Sequence, residues 1–471
     1  MSRKETKSSS PIETSPSLQL HPTKAELYAI GKNLRDKCPR QDHAVWRPAD
    51  NRLDPVELML NSNQGRIPEL VPIRHGRMLQ SPFSFYRGAA LNMAADLAGT
   101  ATTGLQVQAC GDCHLMNFGS YATPERRVIF DINDLDETLP APWEWDVKRL
   151  ATSFMLASRN NGFSEETGRD AVQSCVRSYR LKMAEYSEMS VMEVWYDSIN
   201  AEELISTIRD SEARKRMQLR LGKARERSVL EHEYPELVTT SGMTPSIREN
   251  PPLIYHPHER GHEEQRAAVE RAFASYKSTL QEDRQKLLDH FKLVDFALKV
   301  VGVGSVGTFC GILLLMASEH DPLFLQYKQA RPSVLEPYAR KSVHANDGHR
   351  IVHGCRMMQS ASDIFLGWTE GEFGRQYYVR QLKDMKIKPL VEIFTPSVMQ
   401  QYAELCGWTL AHAHARSGEP TQISGYLGKS EKFDKAIVEF AVAYADQSER
   451  DHDVMLQAVR AGKLEVFIEE Q

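Results

Sequence analysis

Cys110-Gly111-Asp112-Cys113-His114-Leu115-Met116-Asn117 is the stretch on which the reading of this chain turns. Val128-Ile129-Phe130-Asp131 and Trp143-Glu144-Trp145-Asp146 follow it. An Asp, an Asn five positions on and a second Asp at the end of a short apolar run form a spacing suited to phosphoryl transfer. In such a site one carboxylate orients a hydroxyl nucleophile, while the Asn and the other carboxylate hold Mg²⁺ against nucleotide phosphates. The spacing makes Asp112 the expected general base and Asn117 and Asp131 the expected oxygen ligands of Mg²⁺. The residues between Asn117 and Asp131 leave room for a hairpin turning at Thr123-Pro124-Glu125. Asp134 and Asp136 lie close enough in sequence to assist, and His114 sits inside the turn. Asp146 opens a helix and is placed to accept backbone N–H bonds that brace the catalytic turn.

The same residues admit other readings. Cys110-Gly111-Asp112-Cys113-His114 fits the C-x-x-C-H attachment pattern of c-type haem, which needs a secreted chain and a distal ligand. A C-x-x-C redox pair is a second alternative. A zinc site would need a further ligand pair at short spacing, and none is evident.

A second block lies far downstream. Gly302-Val303-Gly304-Ser305-Val306-Gly307-Thr308 gives G-x-G-x-x-G between two apolar runs. A dinucleotide fold would place a helix directly after it. Phe309 to Met316 is strand-like instead, which favours a hairpin loop folded over phosphates by Gly302, Gly304, Ser305 and Gly307. Leu323 to Lys328 is a strand ending in a lysine, and a lysine on a buried strand calls for a partner. Lys328 is expected to contact nucleotide phosphates, held by Glu336 or Gln359. Arg74, Arg77 and Arg87 precede the first block and suit phosphate or carboxylate recognition, or ion pairs between lobes.

From about Leu70 onward the chain resembles a bacterial family catalogued as domain of unknown function 2252. The resemblance rests on Ile73-Arg74-His75-Gly76-Arg77-Met78, Tyr86-Arg87-Gly88, the Cys110–Gly119 stretch, Phe130 to Glu137, Trp143 to Ala151, Gly302 to Gly307, Leu325 to Ala330 and Ala413 to Gly418. A looser resemblance joins Gly111-Asp112-x-His114-x-x-Asn117 to the His-Gly-Asp-x-His-x-x-Asn turn of aminoglycoside-phosphotransferase-like kinases, with Cys110 in place of the His. It implies a metal-binding role for Asp131 and extends to Asp146 with Leu150-Ala151. Leu405 to Gly418 is similar to the helix that precedes the turn in those kinases. Kinases run from glycine loop to lysine to catalytic Asp, so this order implies a circular permutation, which chains tolerate where termini lie close together.

The chain has 471 residues, long enough for more than one core. Net charge is −5 and the pI is near 6.4, which argues against general nucleic-acid or anionic-membrane binding. No apolar run approaches a membrane span. Seven scattered cysteines suit reduced thiols and a cytoplasmic setting.

Together these readings predict an α+β, protein-kinase-like two-lobe fold in permuted order, with a mostly helical large lobe and a small antiparallel-sheet lobe. Residues 1–23 are expected to be a disordered tail, 24–290 a helical lobe carrying the catalytic and metal motifs, 291–396 a strand-rich nucleotide-binding lobe, and 397–471 a helical return. The expected activity is ATP- and Mg²⁺-dependent phosphoryl transfer to an unknown small-molecule or protein hydroxyl. The alternatives are a catalytically silent nucleotide-binding regulator and an AMP transferase using the same site.

Overall fold

The computed structural model describes residues 22–226, 234–239, 245–256, 262–382 and 385–469. Most of the expected tail, part of the proline-rich connection before 262, and Lys383-Asp384 lie outside the described residues.

The fold is α+β with antiparallel sheets. The apolar run after the glycine motif shows why the larger sheet forms. Ile312, Leu314 and Met316 of strand Cys310–Ser318 join one apolar cluster with Leu237, Ile247, Ala297 and Phe324. Leu313 and Leu315 join another with Tyr276, Leu288, Leu325, Phe365 and Val379. Successive side chains of a strand alternate between faces, so an unbroken apolar run means that both faces are covered. The sheet has six strands in the order Gly367–Glu370, Gln376–Gln381, Asp321–Ala330, Cys310–Ser318, Lys292–Lys299, Ile254–Tyr255. In register, Lys328 faces Cys310 on one side and Tyr378 on the other.

The edge strand Ile254–Tyr255 and the helix His262–Ser278 lie with this sheet, Tyr276 donating to the Phe365 carbonyl at 2.6 Å. The sequence boundary expected at 290/291 therefore cuts into one packed unit. A two-residue strand is too short to carry a periodic signal.

The largest core is helical. Helices Trp143–Asn160, Glu165–Glu188, Pro396–Ser417 and Lys432–Arg460 contribute most of it. Gly407 lets two of them touch: a Cβ there would stand 2.1 Å from the Cys175 carbonyl oxygen. Against this core sits a hairpin, Phe118–Ala122 with Val128–Ile132, in which Gly119 pairs with Asp131. Its turn closes through Arg126 N–H to Thr123 C=O at 2.8 Å. Strand Gln106–Ala109 pairs with Leu139–Pro142 and leads into the first motif block. The C-terminal end of the 396–417 helix abuts the start of that strand, where Gln108 N–H donates to Ser417 Oγ at 3.2 Å. No described helix is long and apolar enough to cross a membrane.

Two outcomes follow. Gly407→Ala should destabilise the chain by about 1–3 kcal/mol, because backbone atoms must give way. Chemical denaturation checks this. His256 lies between Asp295 (3.1 Å) and Glu249 (2.8 Å), and the hydrogen bond to Asp295 leads the contacts that raise its pKa to about 9. A raised folded pKa stabilises fully below the unfolded value near 6.5, and that contribution is lost as pH rises through 9. Amide exchange of 245–256, corrected for intrinsic rate, should therefore speed up relative to the 396–417 helix across that window. His256→Ala should remove the difference.

Candidate functional site at the junction of sheet and helical core

The turn after strand Gln106–Ala109 is built from buried contacts. Asp146, in the first turn of the 143–160 helix and 1% exposed, accepts from the backbone N–H groups of Cys110 (2.6 Å) and Gly111 (3.0 Å). His414 Nε2 lies 3.2 Å from the same carboxylate, and its Nδ1 is 2.8 Å from the Tyr179 hydroxyl. Gly111 takes φ of +82°, with the Glu137 carbonyl oxygen 2.4 Å from where a Cβ would stand, so only glycine fits this corner. Cys110 and Cys113 are fully buried, and their thiols are held above the usual range. That keeps them protonated and inert, against a redox or haem-attachment role.

Asp112 projects from this corner. Arg149, one helical turn after Asp146, donates from Nε (2.8 Å) and Nη2 to Asp112 Oδ1. The arginine side chain is 2% exposed and the aspartate 21%, so the pair presents a carboxylate edge outward. His114 Nε2 lies 3.8 Å from Oδ2. Burial pushes the His114 imidazole down to about 4, while the charges of Asp112, Arg87, Arg149 and Asp134 all act on it, which brings these groups into one neighbourhood. Asn117 is fixed by donating from Nδ2 to the Asp112 carbonyl at 2.8 Å. Among the described residues nothing donates to its Oδ1.

Lys328 comes to this neighbourhood from the sheet. Its ammonium is 3.1 Å from Asp136 Oδ2 and 3.5 Å from Asp134 Oδ2. Tyr378, directly across the strand pair, donates to Asp136 Oδ1. Burial opposes the lysine's charge, yet the two carboxylates hold its pKa well above the ordinary value. Burial likewise works to raise Asp134, but Lys328 and then Arg380 hold it well below the carboxylate range. Burial and the Asp134 charge raise Asp136. Asp134 Oδ1 is buried without a hydrogen-bond partner.

The partners expected for Lys328 are engaged elsewhere. Gln359 donates to the Ile132 carbonyl at 2.7 Å, and Glu336 accepts from Ser342 N–H at 3.3 Å. Asp131 is 1% exposed and satisfied by Ile132 N–H, Ser360 N–H and the Tyr121 hydroxyl at 2.8, 2.7 and 3.3 Å, with its pKa raised by burial. The strand extends through Ile132, and its alternation turns Asp131 toward the end of helix Asp347–Met358. Asp134, beyond the strand's end, faces Lys328 instead.

The glycine loop reaches the helical side of this junction. Gly307 C=O accepts from Ile67 N–H at 2.7 Å, Val306 C=O from Arg66 at 2.5 Å, and Gly302 C=O from Arg77. Gly302 and Gly307 have positive φ (67° and 84°), and Ser305 C=O accepts from the Thr308 hydroxyl. A Cβ on Gly304 would lie 3.5 Å from the Arg87 carbonyl oxygen. Arg87 links loop and turn: Asp112 acts on its guanidinium, and its Nε is buried without a partner.

Sequence reading passed over Arg149, Arg350, Arg380 and Glu137. Arg350 donates to the carbonyls of Thr138 (2.6 Å), Asp136 (3.0 Å) and Arg331 (2.7 Å), pinning the acidic loop to the sheet. Burial pushes Glu137 up to about 7. The available signal was a cation inside an apolar helix, as with Arg149 before Leu150-Ala151 and Arg350 before Ile351-Val352.

The model of a family described as an uncharacterized protein conserved in bacteria (DUF2252) matches residues 66–458, and the chain belongs to that family. No curated protein and no solved structure matches it.

Removing the Asp146 carboxylate strands two buried N–H groups. Asp146→Ala should cost roughly 2–5 kcal/mol in a denaturant titration. A cost below 0.5 kcal/mol would mean that the turn is held by something else.

Proposed function

We propose that this chain is an ATP- and Mg²⁺-dependent phosphotransferase with a protein-kinase-like site assembled in circularly permuted order. The observation that carries the reading is the placement of Lys328 against Asp134 and Asp136 across about 190 positions of sequence. Phosphotransferases of this kind need a strand lysine, a metal-binding carboxylate and an acceptor-orienting Asp around one cleft. The sheet order also supports it: a meander of three strands, with the glycine loop between the first two and the lysine on the third, then a helix, then two strands on the lysine's far side.

The residues fit a divalent ion at Asp134 rather than at Asp131. Asp134 Oδ1 is buried and unpartnered, whereas both oxygens of Asp131 are engaged. Asn117 donates through Nδ2, which leaves its carbonyl oxygen available for the same role. Among the described residues no three His, Cys, Asp or Glu side chains are grouped to hold a metal. Mg²⁺ takes one or two protein carboxylates and completes its shell with water and phosphate oxygens. When bound, the ion neutralises charge on the transferred phosphoryl group.

The chain's own groups do the rest. Lys328, Arg87 and the N–H groups of loop 302–308 hold phosphate oxygens. Arg149 fixes the Asp112 carboxylate so that Oδ2 receives the proton of the acceptor hydroxyl. Neutral His114 donates or accepts a hydrogen bond beside it without adding charge. The setting is cytoplasmic and the acceptor a small molecule or protein bearing a hydroxyl.

Thermal shift and fluorescent-nucleotide titration with Mg²⁺·ATP test the reading. Wild type should bind, Lys328→Met should bind at least tenfold more weakly, and Asp134→Asn should lose the Mg²⁺ dependence. Asp112→Asn should keep binding while transfer falls roughly 10²–10⁴-fold. Absence of binding at millimolar Mg²⁺·ATP overturns the proposal. A product heavier by AMP instead of phosphate would make the enzyme a nucleotidyl transferase.

A further inference from the structure

Next to the proposed nucleotide site lies a cavity of about 140 Å³, open to solvent on one side, between strand Gln376–Gln381, helix Asp347–Met358 and the Phe118–Ala122 hairpin. Its polar lining includes Lys386, Arg380, Gln359, Asn133 and Asp363. Asp363 counters the cations there only in part. Its oxygens accept from the backbone N–H groups of Phe365 (2.8 Å) and Gln381, and burial raises its pKa. Arg380 gives Nη1 to the Asn133 carbonyl at 3.0 Å and leaves Nε buried without a partner. Lys386 makes no hydrogen bond or ion pair with any described residue. Its backbone neighbour Ile387 exchanges hydrogen bonds with Ser120 at 2.9 and 3.0 Å, which fixes the segment from which the lysine projects.

A built cavity that holds a lysine with no hydrogen-bonded partner, an arginine with an unpartnered Nε and a carboxylate committed to backbone N–H groups is a site for an oxyanion. We infer that this cavity binds the phosphate or carboxylate group of the acceptor substrate, holding it with Lys386 and Arg380, so that the enzyme's substrate is an anionic hydroxy compound. The inference rests on the phosphotransferase reading for the word acceptor; the oxyanion site stands on the cavity alone. Arg380 spans the two regions, since the carbonyl it holds belongs to the residue before Asp134. Burial, and then Arg380, bring the Lys386 ammonium down to about 7, so an arriving anion restores a charge that the empty pocket disfavours.

Calorimetric titration of the full chain with inorganic phosphate, and separately with acetate, tests this. Wild type should bind at least one of them, and which one names the acceptor's group. Lys386→Met should weaken that binding roughly 10- to 100-fold, the range for losing a charged hydrogen bond. Melting temperature and Mg²⁺·ATP affinity should stay unchanged, while Lys328→Met should leave phosphate or acetate binding intact. If neither anion binds at tens of millimolar, or Lys386→Met binds as tightly as wild type, the pocket is not an oxyanion site. If Mg²⁺·ATP displaces phosphate one for one and Lys386→Met loses both, the lysine belongs to the nucleotide's own phosphates and the acceptor assignment is overturned. If anion binding holds and Mg²⁺·ATP never binds, the phosphotransferase reading fails and the pocket survives it.

Discussion

A lysine ammonium removed from water must be matched by charge, or it gives up its proton. Lys328 is 4% exposed, and its match comes from two aspartates almost 200 positions earlier in the chain. That requirement ties the sheet to the acidic loop at a specific position, which apolar contact would not. A slip of one residue in the strand carrying Lys328 would turn the ammonium to the opposite face, toward apolar residues, and strand both carboxylates. Tyr378 reinforces the register, because it is the cross-strand neighbour of Lys328 and binds the same Asp136.

Two further buried ions make the acidic loop and the Asp112 turn rigid enough to receive that lysine. Arg350 gives its two Nη groups to three carbonyls, including those of Asp136 and Thr138, while its Nε pairs with Asp347, and so it fixes the loop backbone rather than the loop's charge. Asp146 does the reverse, using a carboxylate to gather backbone N–H groups at the start of the turn. Each is a charged group satisfied largely by main-chain dipoles, with one side-chain partner besides. Such contacts set position through the main chain and leave the side chains of Asp112 and Asp134 to pair with Arg149 and Lys328.

How far this was legible in sequence follows from the range of each interaction. The bracing contact of Asp146 was readable because the residue opens a helix shortly after the turn it supports. The strands of 310–318 and 321–330 were readable from their apolar runs. Which of Asp131 and Asp134 faces Lys328 was not. It depends on where the strand ends, and sequence locates an end only to within a few residues while side-chain direction alternates with every one. The partner of Lys328 was sought downstream, at Glu336 and Gln359, because local sequence offers only neighbours. The pairing with Asp134 and Asp136 is a property of the folded chain. Strands Gly367–Glu370 and Ile254–Tyr255 escaped for the same reason, being too short to show a period and formed only because an edge was waiting for them.

Chain order is the remaining constraint, and it is weaker than it looks. Helix Pro396–Ser417 ends against the first residues of strand Gln106–Ala109, with Ser417 bonded to Gln108. Gly418 has no room for a side chain between the Val107 methyl and the Gln106 carbonyl. An unpermuted chain would run directly from this helix into this strand and on to Asp112. Here the two are joined by packing instead of by a peptide bond. The entropy of closing a loop grows only with the logarithm of its length, so moving the chain ends elsewhere alters stability far less than losing Lys328 or Asp146 would. Under the proposed permutation, the contact at Ser417 and Gly418 is the junction that a chain in the ordinary order would close with a peptide bond, and packing alone holds it here.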